Sequence, residues 1–186
     1  MPAVDLSAEE HATPATRLLD EWEHGRPAGA SRIGPAVRDA FAALVAETLA
    51  SDADVNVDEE DIRRVLDGAT GLGVGRGGGS GHHRAQRALA EAWRQWQAVD
   101  WCTTGEGGLL LFVRAHEEHD LDMDELTAIS EALQQVVGSG WEWVFSYGVA
   151  PNQAADLCLG FLLAPRAQPG EMGPHSAPLP AALTPK

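Results

Sequence analysis

The stretch Asp54-Val55-Asn56-Val57-Asp58-Glu59-Glu60-Asp61-Ile62-Arg63-Arg64-Val65 decides how this chain is read. It joins two helical patterns and carries the spacing Asn-x-Asp-x-x-Asp at Asn56, Asp58 and Asp61. Acidic groups packed this closely serve either as a helix cap or as a device that handles water and metal beside a phosphate. The cap reading is local. Asp58 with Asp61 three residues on has the spacing of a capping box, and carboxylates favour the positive end of a helix. Ile62, Val65 and Leu66 then give the following helix a buried side.

Upstream, Val37, Phe41, Leu44, Val45 and Leu49 recur at helical spacing and predict a helix from Ser31 to Ala50, the body of a long helical segment over 31–53. Ser31 would cap it, and Pro35 falls in the first turn, where its missing N–H costs little. Residues 1–30 are rich in Ala, Glu and Pro and read as a flexible arm. A transient helical turn over Arg17 to Glu23 would group Leu18, Leu19 and Trp22.

Downstream, Gly68 to Gly81 is dominated by glycine, with Leu72 and Val74 alternating, which suggests a short, partly buried strand running into a loop. His82 to Ala98 reads as a helix with Ala85, Leu89, Trp93 and Trp96 on its apolar side. Leu109 to Arg114 is an apolar strand behind Gly107-Gly108. Asp122 to Val137 is a further helix, with Leu126, Ile129, Leu133, Val136 and Val137 inward, stopped by Gly138-Ser139-Gly140. Trp141 to Val149 and Asp156 to Leu163 are strands. Pro151-Asn152 between them suggests an antiparallel terminal hairpin. From Pro165 onward the Pro and Ala content predicts disorder.

Composition excludes several functions. The 186 residues fit one domain with room for arms. A net charge of −15 argues against general electrostatic binding of nucleic acid or anionic membrane. The single lysine, Lys186, is the last residue, so neither a Walker-type phosphate loop nor a Schiff base inside the domain is available. The two cysteines, Cys102 and Cys158, have no metal or redox spacing and suit a reducing cytosol. No signal-peptide pattern and no apolar run long enough to span a bilayer is present, so a cytoplasmic location is expected.

This order of elements resembles the C-terminal half of FtsZ, the bacterial tubulin-like division GTPase, over roughly residues 33–163. In FtsZ the long central helix enters a loop of the form Asn-x-Asp-Phe-Ala-Asp-Val. Asn56-Val57-Asp58-Glu59-Glu60-Asp61-Ile62 falls in that place. A glycine-containing strand and a loop ending Gly-Glu-Asp-Arg-Ala or Gly-Glu-Asn-Arg-Ala follow in FtsZ, and Gly81-His82-His83-Arg84-Ala85 stands there here. The later strands and helix resemble Gly108 to Arg114, Leu121 to Val137, Glu142 to Val149 and Leu157 to Leu163.

The resemblance implies an α/β fold of two-layer α+β type: a four-stranded mixed sheet with packed helices over 54–165, preceded by the long helix, with a tail over 166–186. It also implies roles. In FtsZ the loop inserts into the nucleotide site of the next subunit, so Asn56, Asp58 and Asp61 would position the water that attacks a partner's γ-phosphate, in trans. Asp58, Glu59, Glu60 and Asp61 would form the interface. Glu59-Glu60 replaces the family's Phe-Ala pair, which removes an apolar anchor and adds two charges.

Only 55 residues precede Asn56, too few for a nucleotide-binding sheet, so no enzyme activity of the chain alone and no cofactor is expected. Gly77-Gly78-Gly79-Ser80-Gly81 looks like the family's Gly-Gly-Gly-Thr-Gly signature but lies on the other side of the acidic loop. A glycine loop capping the next helix is the preferred reading.

The expected function is therefore a non-enzymatic partner that caps or modulates an FtsZ- or tubulin-type GTPase filament. The alternatives are a truncated remnant or a diverged small-molecule or metal-binding domain. Weak metal candidates are His116 and His119, and solvated loop histidines are the plainer reading. Leu179-Pro180-Ala181-Ala182-Leu183 faintly resembles the FtsZ terminal peptide, without its aromatic anchor.

Overall fold

The computed structural model describes residues 13–26, 30–50, 54–100, 105–150 and 153–166. Residues 1–12 of the expected arm, the Pro151-Asn152 turn, Trp101, Cys102 and the Leu179–Leu183 segment lie outside them.

Helix α1, Pro14–Gly25, starts at Thr13, whose Oγ1 accepts the Thr16 N–H at 3.2 Å. Leu18, Leu19 and Trp22 form one buried stripe, and the Trp22 indole N–H donates to the Ala69 carbonyl at 2.9 Å. These residues are thus a packed helix rather than an arm. Their apolar stripe has a seat between α2, Pro35–Leu49, and α3, Glu59–Leu66. Ion pairs line the seams: Arg38 reaches Asp20 and Glu23, and Arg17 reaches Glu59.

Helix α2 buries Val37, Phe41, Leu44 and Val45 as its spacing predicts. It starts four residues later than Ser31, with Gly34 at its N-cap. Ser31 is drawn away to Asp100, whose carboxylate takes both its N–H and its hydroxyl, at 2.9 and 2.7 Å.

Strand β1, Leu72–Gly79, replaces the expected strand-then-loop. Alternation along a strand puts Gly73, Gly75, Gly77 and Gly79 on one face. Against that face lies α4, Arg84–Arg94. A Cβ at Gly77 would stand 2.2 Å from the Ala88 carbonyl oxygen, and one at Gly79 2.0 Å from that of Arg84. Only a strand without side chains lets the helix come this close.

The chain leaves α4 at Arg94, and Gln97–Val99 forms a short strand, β2, antiparallel to β1. The helix expected over His82 to Ala98 is therefore shorter. The sheet has five strands rather than four.

Strands β3, Gly107–His116, and β4, Trp141–Ala150, are parallel and joined by α5, Met123–Val137. Asp122 caps α5 through a capping box with Glu125. The last strand, β5, Leu157–Pro165, does not form a hairpin with β4. It inserts antiparallel between β1 and β3, giving the order β2-β1-β5-β3-β4. Its composition explains this: Leu159, Phe161 and Leu163 feed one face while Leu162 and Ala164 feed the other, as a central strand requires.

Helices cover both faces, so the expected single helical layer is two. One core lies between the sheet and α1, α2 and α3, around Phe41, Leu44, Ile62, Leu110, Phe112 and Leu162. The other lies under α4 and α5, around Trp93, Leu111, Ile129, Leu133 and Phe161. Among the described residues no helix is long and apolar enough to cross a membrane.

Candidate functional site

The acidic loop is fastened at both ends. Val55 forms an antiparallel bridge with Tyr147 on the edge strand β4, with N–H to O distances of 3.1 and 3.3 Å. The Ser146 hydroxyl donates to the same Val55 carbonyl at 3.1 Å. Two residues on, Val57 enters the core. Asn56 is held between these anchors, on the exposed side.

The capping-box spacing is realised. Asp58 Oδ1 accepts the N–H groups of Glu60 and Asp61 at 2.8 and 3.0 Å, and Asp61 Oδ2 accepts the Asp58 N–H at 3.2 Å. Asp61 Oδ1 also takes Arg64 at 3.0 Å. Glu59 turns back to α1, where Arg17 holds it at 2.6 Å and keeps its carboxyl below the usual range. Glu60 is 72% exposed and 3.6 Å from Arg63. Of the four acids, Asp58 and Glu60 therefore face solvent, while Glu59 and Asp61 are turned toward the protein's own arginines. The loop can present a fixed negative edge.

A second cluster joins the starts of α4 and α5. The buried Arg84 guanidinium makes two 2.8 Å hydrogen bonds to the Glu125 carboxylate. It also donates to the carbonyls of His119, Asp120 and Asp156, at 2.7, 2.5 and 3.3 Å. These hydrogen bonds hold the Glu125 carboxyl below its ordinary range. The Tyr147 hydroxyl donates to Asp120, linking this hub to the strand that bears the acidic loop. Burial, then the Asp120 hydrogen bond and the nearby Asp120 and Asp54 charges, push the Tyr147 phenol up to about 12.

Above Arg84 lies an open polar cleft of about 610 Å³ lined by His82, His83, His119, Asp120 and Glu125. His116 and His119 have ring centroids 6.3 Å apart, and the His116 Nδ1 accepts the Glu118 N–H at 3.3 Å. Among the described residues no group of three or more His, Cys, Asp or Glu is placed to hold a metal ion.

The Gly77–Gly79 run is a strand, not a loop, and the Gly78 N–H is taken by the Glu91 carboxylate at 2.9 Å. A phosphate would meet an acid there.

The sequence reading missed Arg84 as a hub. One signal was available: Arg84 shares the buried stripe of α4 with Ala88, one turn on. Nothing local marked Tyr147, whose partners come from sequence-distant loops.

No protein-family model and no curated protein sequence matches the chain. Solved structures do match in fold. An empty FtsZ dimer from M. jannaschii matches with a TM-score of 0.52 and 21% identity, over 68% of this chain and 36% of that one. CetZ from Methanosaeta thermophila strain DSM 6194 matches with a TM-score of 0.50 and 18% identity, over 72% and 36%. The mixed sheet with its packed helices is thus an FtsZ/tubulin-like α/β fold. The chain spans 36% of the length of each of these solved relatives, so the likeness is to a part of them.

Proposed function

We propose that the chain is a non-enzymatic, FtsZ-like interaction domain that docks the face around its acidic loop against an FtsZ- or tubulin-type GTPase subunit and caps or modulates its filament. The observation that carries this reading is the clamp on the loop. Val55 is bridged to β4, Val57 is buried, and the Asp58–Asp61 box starts α3. A loop already ordered in this way loses little freedom on docking.

On the resemblance, Asn56, Asp58 and Asp61 are the groups that would approach a partner's GTP. Phosphoryl transfer is mostly positioning and electrostatics, so a fixed carboxylate supplied by a neighbour has influence there. Growth of a head-to-tail filament needs two complementary faces on each subunit. A domain presenting one face binds an end without extending it.

The test is sedimentation of an FtsZ polymer, with GTP turnover, in the presence of the wild-type chain or of an Asp58→Asn, Glu60→Gln variant. Asn caps a helix about as well as Asp, so this variant removes charge and keeps the fold. The wild type should change polymer mass or turnover, and the variant should reverse much of that change. No effect of the wild type on either quantity overturns the reading.

A further inference from the structure

β4 is an edge strand, and its outer side is open over much of its length. Among the described residues it pairs there only through the Val55–Tyr147 bridge. Tyr147 turns its N–H and C=O outward to meet Val55. Residues two apart on a strand turn the same way, so Trp143 and Phe145 also direct their backbone groups outward. No described backbone meets them.

Soluble proteins commonly blunt such an edge with lysine, proline or a bulge. The Trp141–Ser146 stretch has none of the first two, and its one charge, Glu142, is paired with Arg166 at 3.3 Å. The edge is also apolar. Of the four exposed large hydrophobic residues among those described, Val55, Trp143 and Val149 lie along it.

We infer that the outer edge of β4 at Trp143 and Phe145 accepts an extended segment of a partner protein, one that alternates apolar with basic residues and adds to the sheet as a sixth strand. Val55 already occupies the neighbouring position as a one-residue antiparallel strand, before Val57 turns the chain into the core. The edge therefore has strand-accepting geometry. Backbone hydrogen bonds supply affinity in this mode, and alternate side chains supply choice of partner.

Charge selects the occupant. Asp54, next to the bridging Val55, is exposed, as are Asp58 and Glu60 further along the same loop, and the chain carries a net charge of −15. A second copy would repel, while a basic segment is drawn in. The backbone of β4 makes the contact and the loop carboxylates only bias the charge of the occupant, so the strand pairing is separable from the GTPase-docking reading.

The probe is a fluorescently labelled synthetic peptide of alternating valine and lysine, titrated onto the full chain by anisotropy. A matched peptide, N-methylated at alternate backbone amides, keeps the charge and loses the strand hydrogen bonds. Hydrogen exchange at the Trp143 and Phe145 amides should slow when the unmethylated peptide binds. N-methylation and the Trp143→Lys substitution should each weaken binding about tenfold or more, which is about 1.4 kcal/mol. The melting temperature of Trp143→Lys confirms its fold. Equal binding of the two peptides would reduce the attraction to charge and overturn the inference. So would Trp143 and Phe145 amides already protected in the free chain together with a dimer on sedimentation, because a second copy would then hold the edge.

Discussion

On the face covered by α4, β1 offers glycine at every second position, and the helix comes down to backbone contact. On the face covered by α1, α2 and α3, the same strand offers Leu72 and Val74, and the gap is filled by Phe41, Leu44 and Ile62. The spacing of the first layer is set by absent side chains, and that of the second by present ones. The first should therefore fail on addition and the second on deletion.

Gly77→Val is the strongest way to break the first layer. The new Cβ meets the Ala88 carbonyl 2.2 Å away, so α4 must lift. Leu89 and Trp93 leave the core with it, at about 1.5–3 kcal/mol each. A total loss upwards of about 4 kcal/mol is expected, read as a fall in the urea midpoint. Gly78→Ala, one residue on but facing the other side, meets the Ala155 Cβ at 3.1 Å and the Cys158 Sγ and Leu157 carbonyl oxygen at 3.8 Å. It should stay within about 1 kcal/mol of wild type.

Arg84→Ala should come next, at about 3–5 kcal/mol, because it leaves the partly buried Glu125 carboxylate without its cation and removes the side-chain donor to the His119 and Asp120 carbonyls. This layer also has a pH signature. The folded state lowers the Glu125 pKa below its ordinary value, chiefly through the Arg84 hydrogen bonds. The stability it contributes is full above that value and is lost as the pH falls through the folded pKa. Urea melts of wild type and Glu125→Gln should differ at neutral pH and converge in acid.

Leu44→Ala attacks the second layer by deletion. Leu44 is fully buried and lies over Gly160, so about 3 kcal/mol is expected from lost burial and the cavity left. The smallest effect belongs to the rim. Asp58→Ala removes two cap hydrogen bonds and should cost about 1 kcal/mol in a thermal melt, while Asp58→Asn should cost almost nothing.

What could be read from the sequence follows how local each cause is. The apolar stripes of α2, α3 and α5, and the Asp58 cap, are set by neighbours within a turn and appear where the spacing puts them. The resemblance to FtsZ supplied the mixed sheet. The fifth strand was hidden because Gln97–Val99 directly follows a helix and is only three residues long. Glycine in β1 looked like a loop because its reason, the closeness of α4, comes from a different segment. The stripe on α1 was visible, but its partners on α2 and α3 could not be known in advance. At the site, the capping spacing was legible, whereas the Val55 bridge and the Arg84 hub join segments far apart in sequence.

The place of β5 has a consequence for synthesis. It is the last described strand to leave the ribosome, yet β1 and β3 both pair with it and not with each other. Until Leu157–Pro165 emerges, the nascent chain holds two apolar strands with no seam between them. Closing the sheet against β1 then requires pairing of residues 78 to 90 positions apart, a slow kind of folding. The interval before closure is when this protein is most open to aggregation, and when a chaperone that binds extended apolar segments would matter most.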